Sequence, residues 1–128
     1  MNTGSSIFMA VGSLFFLILF GLPLFLCPLA WAKRVGWKVP AEKDLAVYLG
    51  RSLGAVILAI IIMAVLAAVD PWKYRFVFDM VIFIGIFQVI VHAYGFFKKT
   101  QPLIEHLEII MYAGLSLLTW IFYPVMPA

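Results

Sequence analysis

The chain has 128 residues, of which 66% are hydrophobic and 12% charged, and a formal net charge of +3. Soluble domains sit near ~45–50% apolar and ~25% charged, so this composition excludes an ordinary soluble fold. The nine Lys and Arg residues lie at the ends of apolar stretches, where membrane topology places them. No nucleic-acid partner is therefore read from the positive balance.

Residues 1–32, 52–69, 80–97 and 109–128 carry no Asp, Glu, Lys or Arg. Each is close to the ~20 residues a helix needs to cross a ~30 Å hydrocarbon layer. The pattern predicts an all-α, four-helix transmembrane bundle with antiparallel up-down topology. The spans fall at about 6–29, 48–69, 74–97 and 104–123. Spans and connections account for the chain, so any chemistry is expected inside or at the edge of the bundle.

The first span is rich in Phe, and Pro23 and Pro28 should kink or loosen its second half, because proline removes a backbone donor and crowds the preceding turn. The segment lacks a basic leader and a small-x-small cleavage site, so it is expected to be retained rather than removed as a signal peptide. Cys27 stands alone, which rules out an internal disulfide and a thiolate metal framework, and buried packing is its expected role.

Pro40 followed by Glu42 and Asp44 reads as a helix start, which would carry the second helix from near Pro40 to Val69. Gly50 and Gly54 form a small-xxx-small pattern that allows helices to approach closely. Asp70-Pro71 should end that helix and start the next, with Asp70 as cap and Pro71 at the first position. The third helix should run to about Phe97, and Pro102 should open the fourth.

Lys and Arg number seven on the side of the two longer loops and two, Lys73 and Arg75, on the other. That bias predicts both termini outside the cytoplasm, as expected of a protein of the bacterial inner membrane. Trp31, Trp37 and Tyr48 mark the inner interface; Trp72, Tyr74, Trp120 and Tyr123 mark the outer one.

Polar groups at membrane depth are costly and are where function is sought first. Gly85, Gln88, His92, Gly95 and Lys99 recur at 3- and 4-residue spacings, hence on one helical face. Glu105, Glu108, Tyr112, Ser116, Thr119 and Tyr123 do the same on the next helix. A turn near Thr100 sets His92 level with Glu108 and Gln88 level with Tyr112. Arg51 lies at similar depth on the second helix, so Arg51, His92 and Glu108 are expected in one polar layer. That layer reads either as a register-fixing ion pair or as a ligand, quinone or proton-handling site. A metal centre is not predicted: Glu105-His106-Leu107-Glu108 has the wrong spacing for a di-iron bundle and occurs once. His106 lies off the acidic face, so a bis-histidine haem is not predicted either, and no cofactor is expected. Asp79 follows Arg75 by four residues, which predicts an ion pair near the outer interface or a contact with a partner subunit.

Three short motifs, Arg51-Ser52-Leu53-Gly54, Asp70-Pro71 with Arg75, and Val91-His92-Ala93, occur in an order that resembles small four-helix membrane proteins of the broad DoxX-like kind. The resemblance covers about residues 48–95. It implies a compact four-helix bundle and, for some relatives, association with membrane oxidoreductases. It brings no catalytic residues, and the cysteine features of some redox members are absent. Two functions stay open: a non-catalytic accessory subunit among other transmembrane subunits, and a small redox, quinone-binding or transport protein using the polar layer. Helix 1 and Asp79 are the expected partner-facing features.

Overall fold

The computed structural model describes residues 2–126, and they form a helical bundle. Its elements are α1 (Thr3–Phe16), a π-helical segment (Leu17–Gly21), α2 (Leu22–Leu26), α3 (Pro28–Arg34), α4 (Asp44–Val69), α5 (Arg75–Lys98) and α6 (Leu103–Ile121). Among the described residues, four helical stretches are long and apolar enough to cross a membrane: Thr3–Leu26, Asp44–Val69, Arg75–Lys98 and Leu103–Ile121.

The first stretch is not one continuous α-helix through its prolines. It widens into the π segment and then breaks at Cys27, whose φ of −140° and ψ of 61° leave helical geometry before Pro28. Trp31 folds back across the break, and its indole nitrogen donates to the Leu19 carbonyl at 2.7 Å. The π turn is thereby given a side-chain donor for a main-chain acceptor, one of the recognised causes of helix bending. The break also turns Cys27 outward: it is exposed, which corrects the expectation of a buried packing role.

Helix α4 begins at Asp44, not near Pro40. Residues 37–43 form no α-helix, and Gly36, at φ +95°, brings its backbone close to Pro102. At the far end, Asp70 does not cap α5, whose N-cap is Tyr74; its Oδ1 accepts from the Lys73 amide at 3.1 Å and closes the preceding turn. Pro71 lies in the resulting turn, and α5 starts only at Arg75. The α5–α6 connection is short. Lys99 takes the left-handed conformation, the Thr100 amide returns to the Gly95 carbonyl, and Pro102 serves as the extended N-cap of α6.

The bundle is built from two antiparallel pairs. Helix α4 packs along α1, the π segment and α2, while α5 packs along α6. Glycines set both close approaches. A Cβ on Gly54 would strike the Phe25 and Leu24 backbone, and one on Gly50 would strike Pro28. On the other pair, a Cβ on Gly85 would strike Ser116 and the Tyr112 carbonyl. Gly50 and Gly54 thus pack within the chain.

The pairs meet near the α4–α5 connection in a cluster of Met9, Ala64, Ala67, Val77 and Phe78. There Asn2 exchanges two hydrogen bonds with Val125, each 3.0 Å, so both chain ends lie together beside the α4–α5 turn.

The expected Arg75–Asp79 ion pair does not form. The Arg75 guanidinium lies over the Trp72 ring, 4.8 Å from its centroid, and donates to the Trp72 carbonyl at 3.4 Å. Asp79 accepts instead from the Tyr123 hydroxyl at 2.8 Å. Each group has a nearer partner in an adjacent element than along its own helix.

Candidate functional site: a buried histidine between two glutamates

The face of α5 that carries Gly85, His92 and Gly95 is buried against α6. Opposite it, α6 buries Glu105, Tyr112 and Thr119, which recur every seven residues, two helical turns apart. This interlock places His92 Nε2 3.1 Å from Glu105 Oε2 and 3.2 Å from Glu108 Oε2. His92 and Glu105 are each 6% exposed, whereas Glu108 is only partly buried. The three ligand-capable atoms all lie within 4.8 Å of one another.

Two neighbours orient this group. His92 Nδ1 lies 2.7 Å from the Gln88 carbonyl one turn earlier. A carbonyl can only accept, so Nδ1 carries a hydrogen and donates. The second neighbour is Trp37, whose indole nitrogen donates to Glu105 Oε1 at 2.7 Å. Trp37 comes from the loop before α4, and sequence reading had assigned it only to the interfacial belt. No local pattern links residues 68 positions apart.

Tyr112 lies tilted against His92, with ring centroids 5.2 Å apart, and on its other side stacks on Phe16 at 6.4 Å. It separates the cluster from an apolar cavity of about 100 Å³ in the bundle centre, which Gln88 also lines with Met9, Ile61 and Leu115. Gln88 thus serves the site through its backbone carbonyl and faces the cavity beside Tyr112.

Glu108 also lines a groove of about 390 Å³ between the first helical stretch and α6. Phe15, Leu19, Leu107 and Met111 form its apolar walls, and Trp31 and Arg34 lie at its α3 end. A groove of this size falls in the ~300–1,000 Å³ range of small-molecule sites. The central cavity is smaller than the ~150 Å³ that admits a benzene ring, so it cannot enclose a quinone head.

Arg51 is not part of the layer. It is exposed and lines a separate depression with Phe25, Asp44 and Tyr48. Its depth matches that of His92, but α4 packs on the first helical stretch and not on the α5–α6 seam at this level. His106, as its position off the acidic face suggested, packs edge-on against Phe96 instead, with centroids 4.8 Å apart. Among the described residues, no Lys or Arg forms a salt bridge with Glu105 or Glu108. Asp79 lies at the opposite end of α5 and is exposed.

With Nδ1–H committed to Gln88, a neutral His92 presents a bare lone pair at Nε2 to two carboxylate oxygens. That contact is repulsive unless a positive centre stands between them. Two carboxylates and a neutral imidazole total −2, which two protons or one divalent cation bring to zero. Isolated charge in a low-dielectric interior costs several kcal/mol or more, so the cluster must take up one or the other.

Comparison with known proteins returns no matching family model, no matching curated protein and no matching solved structure.

Proposed function

We propose that this chain is a small integral membrane protein working through a proton- or cation-binding centre of His92, Glu105 and Glu108. In this reading the centre is approached from the lipid side along the groove that ends at Glu108. It is the redox, ligand-binding or transport class of function that the sequence left open, with Arg51 removed from the set and Trp37 added. The orientation carries over from the Lys/Arg bias: both ends outside the cytoplasm of a bacterial inner membrane, the centre near the inner face. A membrane-dissolved molecule bearing a hydrogen-bonding head is the ligand class that suits an apolar groove with Glu108 at one wall and Arg34 at its end.

The observation that carries the reading is the pairing of one histidine with two carboxylates and no Lys or Arg. A register-fixing bond needs one carboxylate. A second one beside it works against folding unless the group has another use, and destabilised polar clusters are typical of functional sites.

The test is the stability of chelator-treated protein in detergent. Glu105→Gln and Glu108→Gln should each leave unfolding stability unchanged or raised, because one carboxyl fewer has to be neutralised. A loss of about 3–5 kcal/mol in both, the cost of breaking a buried ion pair, would make the cluster a structural pair and end the proposal.

A second reading, a non-catalytic accessory subunit of a larger membrane complex such as an oxidoreductase, is the one toward which the DoxX-like resemblance leans. Its support is an outward ridge of Phe83, Phe87, Ile90, Tyr94 and Phe97 on α5, all exposed. Asp79 is exposed beyond the outer end of that ridge. Other transmembrane helices are its partners. Asp79→Leu should then release co-purifying chains, and a protein that is monomeric after mild extraction would rule it out.

A further inference from the structure

We infer that His92, Glu105 and Glu108 form a binding site for a single divalent first-row transition metal, in a coordination sphere of one imidazole nitrogen and two carboxylates. The inference rests on the cation-demanding reading of the centre and names the cation.

Three observations lead to a metal in preference to protons alone. The first is spacing. Metal bonds to nitrogen and carboxylate oxygen are about 2.0–2.2 Å, so two donors on one ion at tetrahedral to octahedral angles lie roughly 2.9–3.5 Å apart. Nε2 lies 3.1 Å from Glu105 Oε2 and 3.2 Å from Glu108 Oε2. All three donor atoms fall within 4.8 Å of one another, so a small side-chain rotation closes the third edge. A shared proton needs only two of these atoms.

The second observation is the outer shell. A ligating histidine almost always donates its other ring N–H to a carbonyl or carboxylate, which fixes the tautomer and aims the lone pair. His92 does this through Nδ1 to the Gln88 carbonyl at 2.7 Å. Glu105 is held likewise, with Trp37 on Oε1 and Oε2 left facing His92. Two of three ligands thus have their non-ligating atoms tied back.

The third is charge and access. A divalent ion neutralises the two carboxylates and leaves a buried centre with zero net charge. Three protein ligands leave further coordination positions for water or for a ligand, and Glu108 lines the groove as well as the cluster. The donor set fixes the class of ion. Nitrogen and oxygen donors without thiolate or thioether suit Mn, Fe, Co or Zn in the divalent state and disfavour Cu(I). The Glu-His-Leu-Glu run of α6 does not supply the histidine, because His106 points at Phe96; the histidine comes from α5. That is why motif spacing along α6 argued against a metal.

The test uses the full chain, extracted in detergent, stripped with chelator and titrated with Co(II). Visible absorption reads the coordination and calorimetry the stoichiometry. One equivalent per chain should bind, with a Co(II) absorption band that Zn(II) abolishes by competition. His92→Gln, Glu105→Gln and Glu108→Gln should each remove the band. Asp79→Asn and Arg51→Ala should leave it intact. Trp37→Phe, which keeps every ligand, should weaken binding by about 10–100-fold, the usual effect of losing an outer-shell partner. Folding of each variant is followed by circular dichroism. A folded wild-type chain that binds no stoichiometric Co(II) or Zn(II) overturns the metal site. So does binding that survives the ligand substitutions. If wild type fails to bind while the Glu→Gln variants keep or gain stability, the metal inference falls and the proton centre stands.

Discussion

The Trp37 indole nitrogen meets Glu105 Oε1 at 2.7 Å and so ties the loop before α4 to the first turn of α6. Gly36 touches Pro102 beside it. Together these contacts hold Gly36 and Trp37 against the start of α6. Trp37 thereby covers one side of the His92 cluster, while the groove lies beside Glu108.

Trp37→Phe should therefore expose the cluster without deleting any of it. Removing a hydrogen bond to a buried charged group costs about 1.5–3 kcal/mol, and thermal unfolding in detergent should fall by that order. Proteolysis after Lys38 or Lys43 should quicken, because the loop loses its anchor. Unchanged stability together with unchanged cleavage would show that the contact holds nothing.

Two glycines make a paired packing experiment. At Gly54 a methyl group would meet the Phe25 and Leu24 main chain, which has no rotamer with which to yield. Gly54→Ala should cost about 1–3 kcal/mol, the usual penalty for overpacking. At Gly114 no atom lies within 4 Å of the same methyl, and the residue sits inside α6. Gly114→Ala should stabilise by about 0.5–1 kcal/mol through helix propensity. Equal effects at the two sites would contradict the close α2–α4 approach.

Orientation is read by labelling. Cys27 is exposed, so topology experiments start from Cys27→Ala. A cysteine then placed at Lys38 should react with a membrane-impermeant maleimide only after the cytoplasmic side is opened. Reaction from the outside would reverse the orientation inferred from seven against two Lys and Arg residues.

The apolar stretches, the turn at Thr100 and the stripes on α5 and α6 were legible because they depend on rise and periodicity alone. Counting from that turn sets His92 level with Glu108, and the two meet at 3.2 Å. The same count places Arg51 at the right depth, yet depth says nothing about which helix pair α4 joins, and Arg51 points elsewhere. Cys27 and the π segment escaped for a different reason. Proline predicts a disturbance but not its form, and here Trp31 reaching the Leu19 carbonyl gives the disturbance its shape. Arg75 and Asp79 have helical spacing for an ion pair, but Trp72 and Tyr123 lie closer in three dimensions. The metal-capable geometry was missed because donor spacing was weighed along α6, whose own histidine, His106, packs on Phe96.

The central claim is that His92 commits its Nδ1 hydrogen to Gln88 and turns Nε2 toward both glutamates. Nitrogen NMR of the imidazole-labelled protein in detergent reads this directly, because the chain has two histidines and His92→Gln assigns the signals. The measurement is made on chelator-treated protein across a pH series. Nδ1 of His92 should carry its hydrogen throughout. A neutral His92 carrying its hydrogen on Nε2, with Nδ1 bare, would contradict the account and return the cluster to an ordinary histidine–glutamate hydrogen bond.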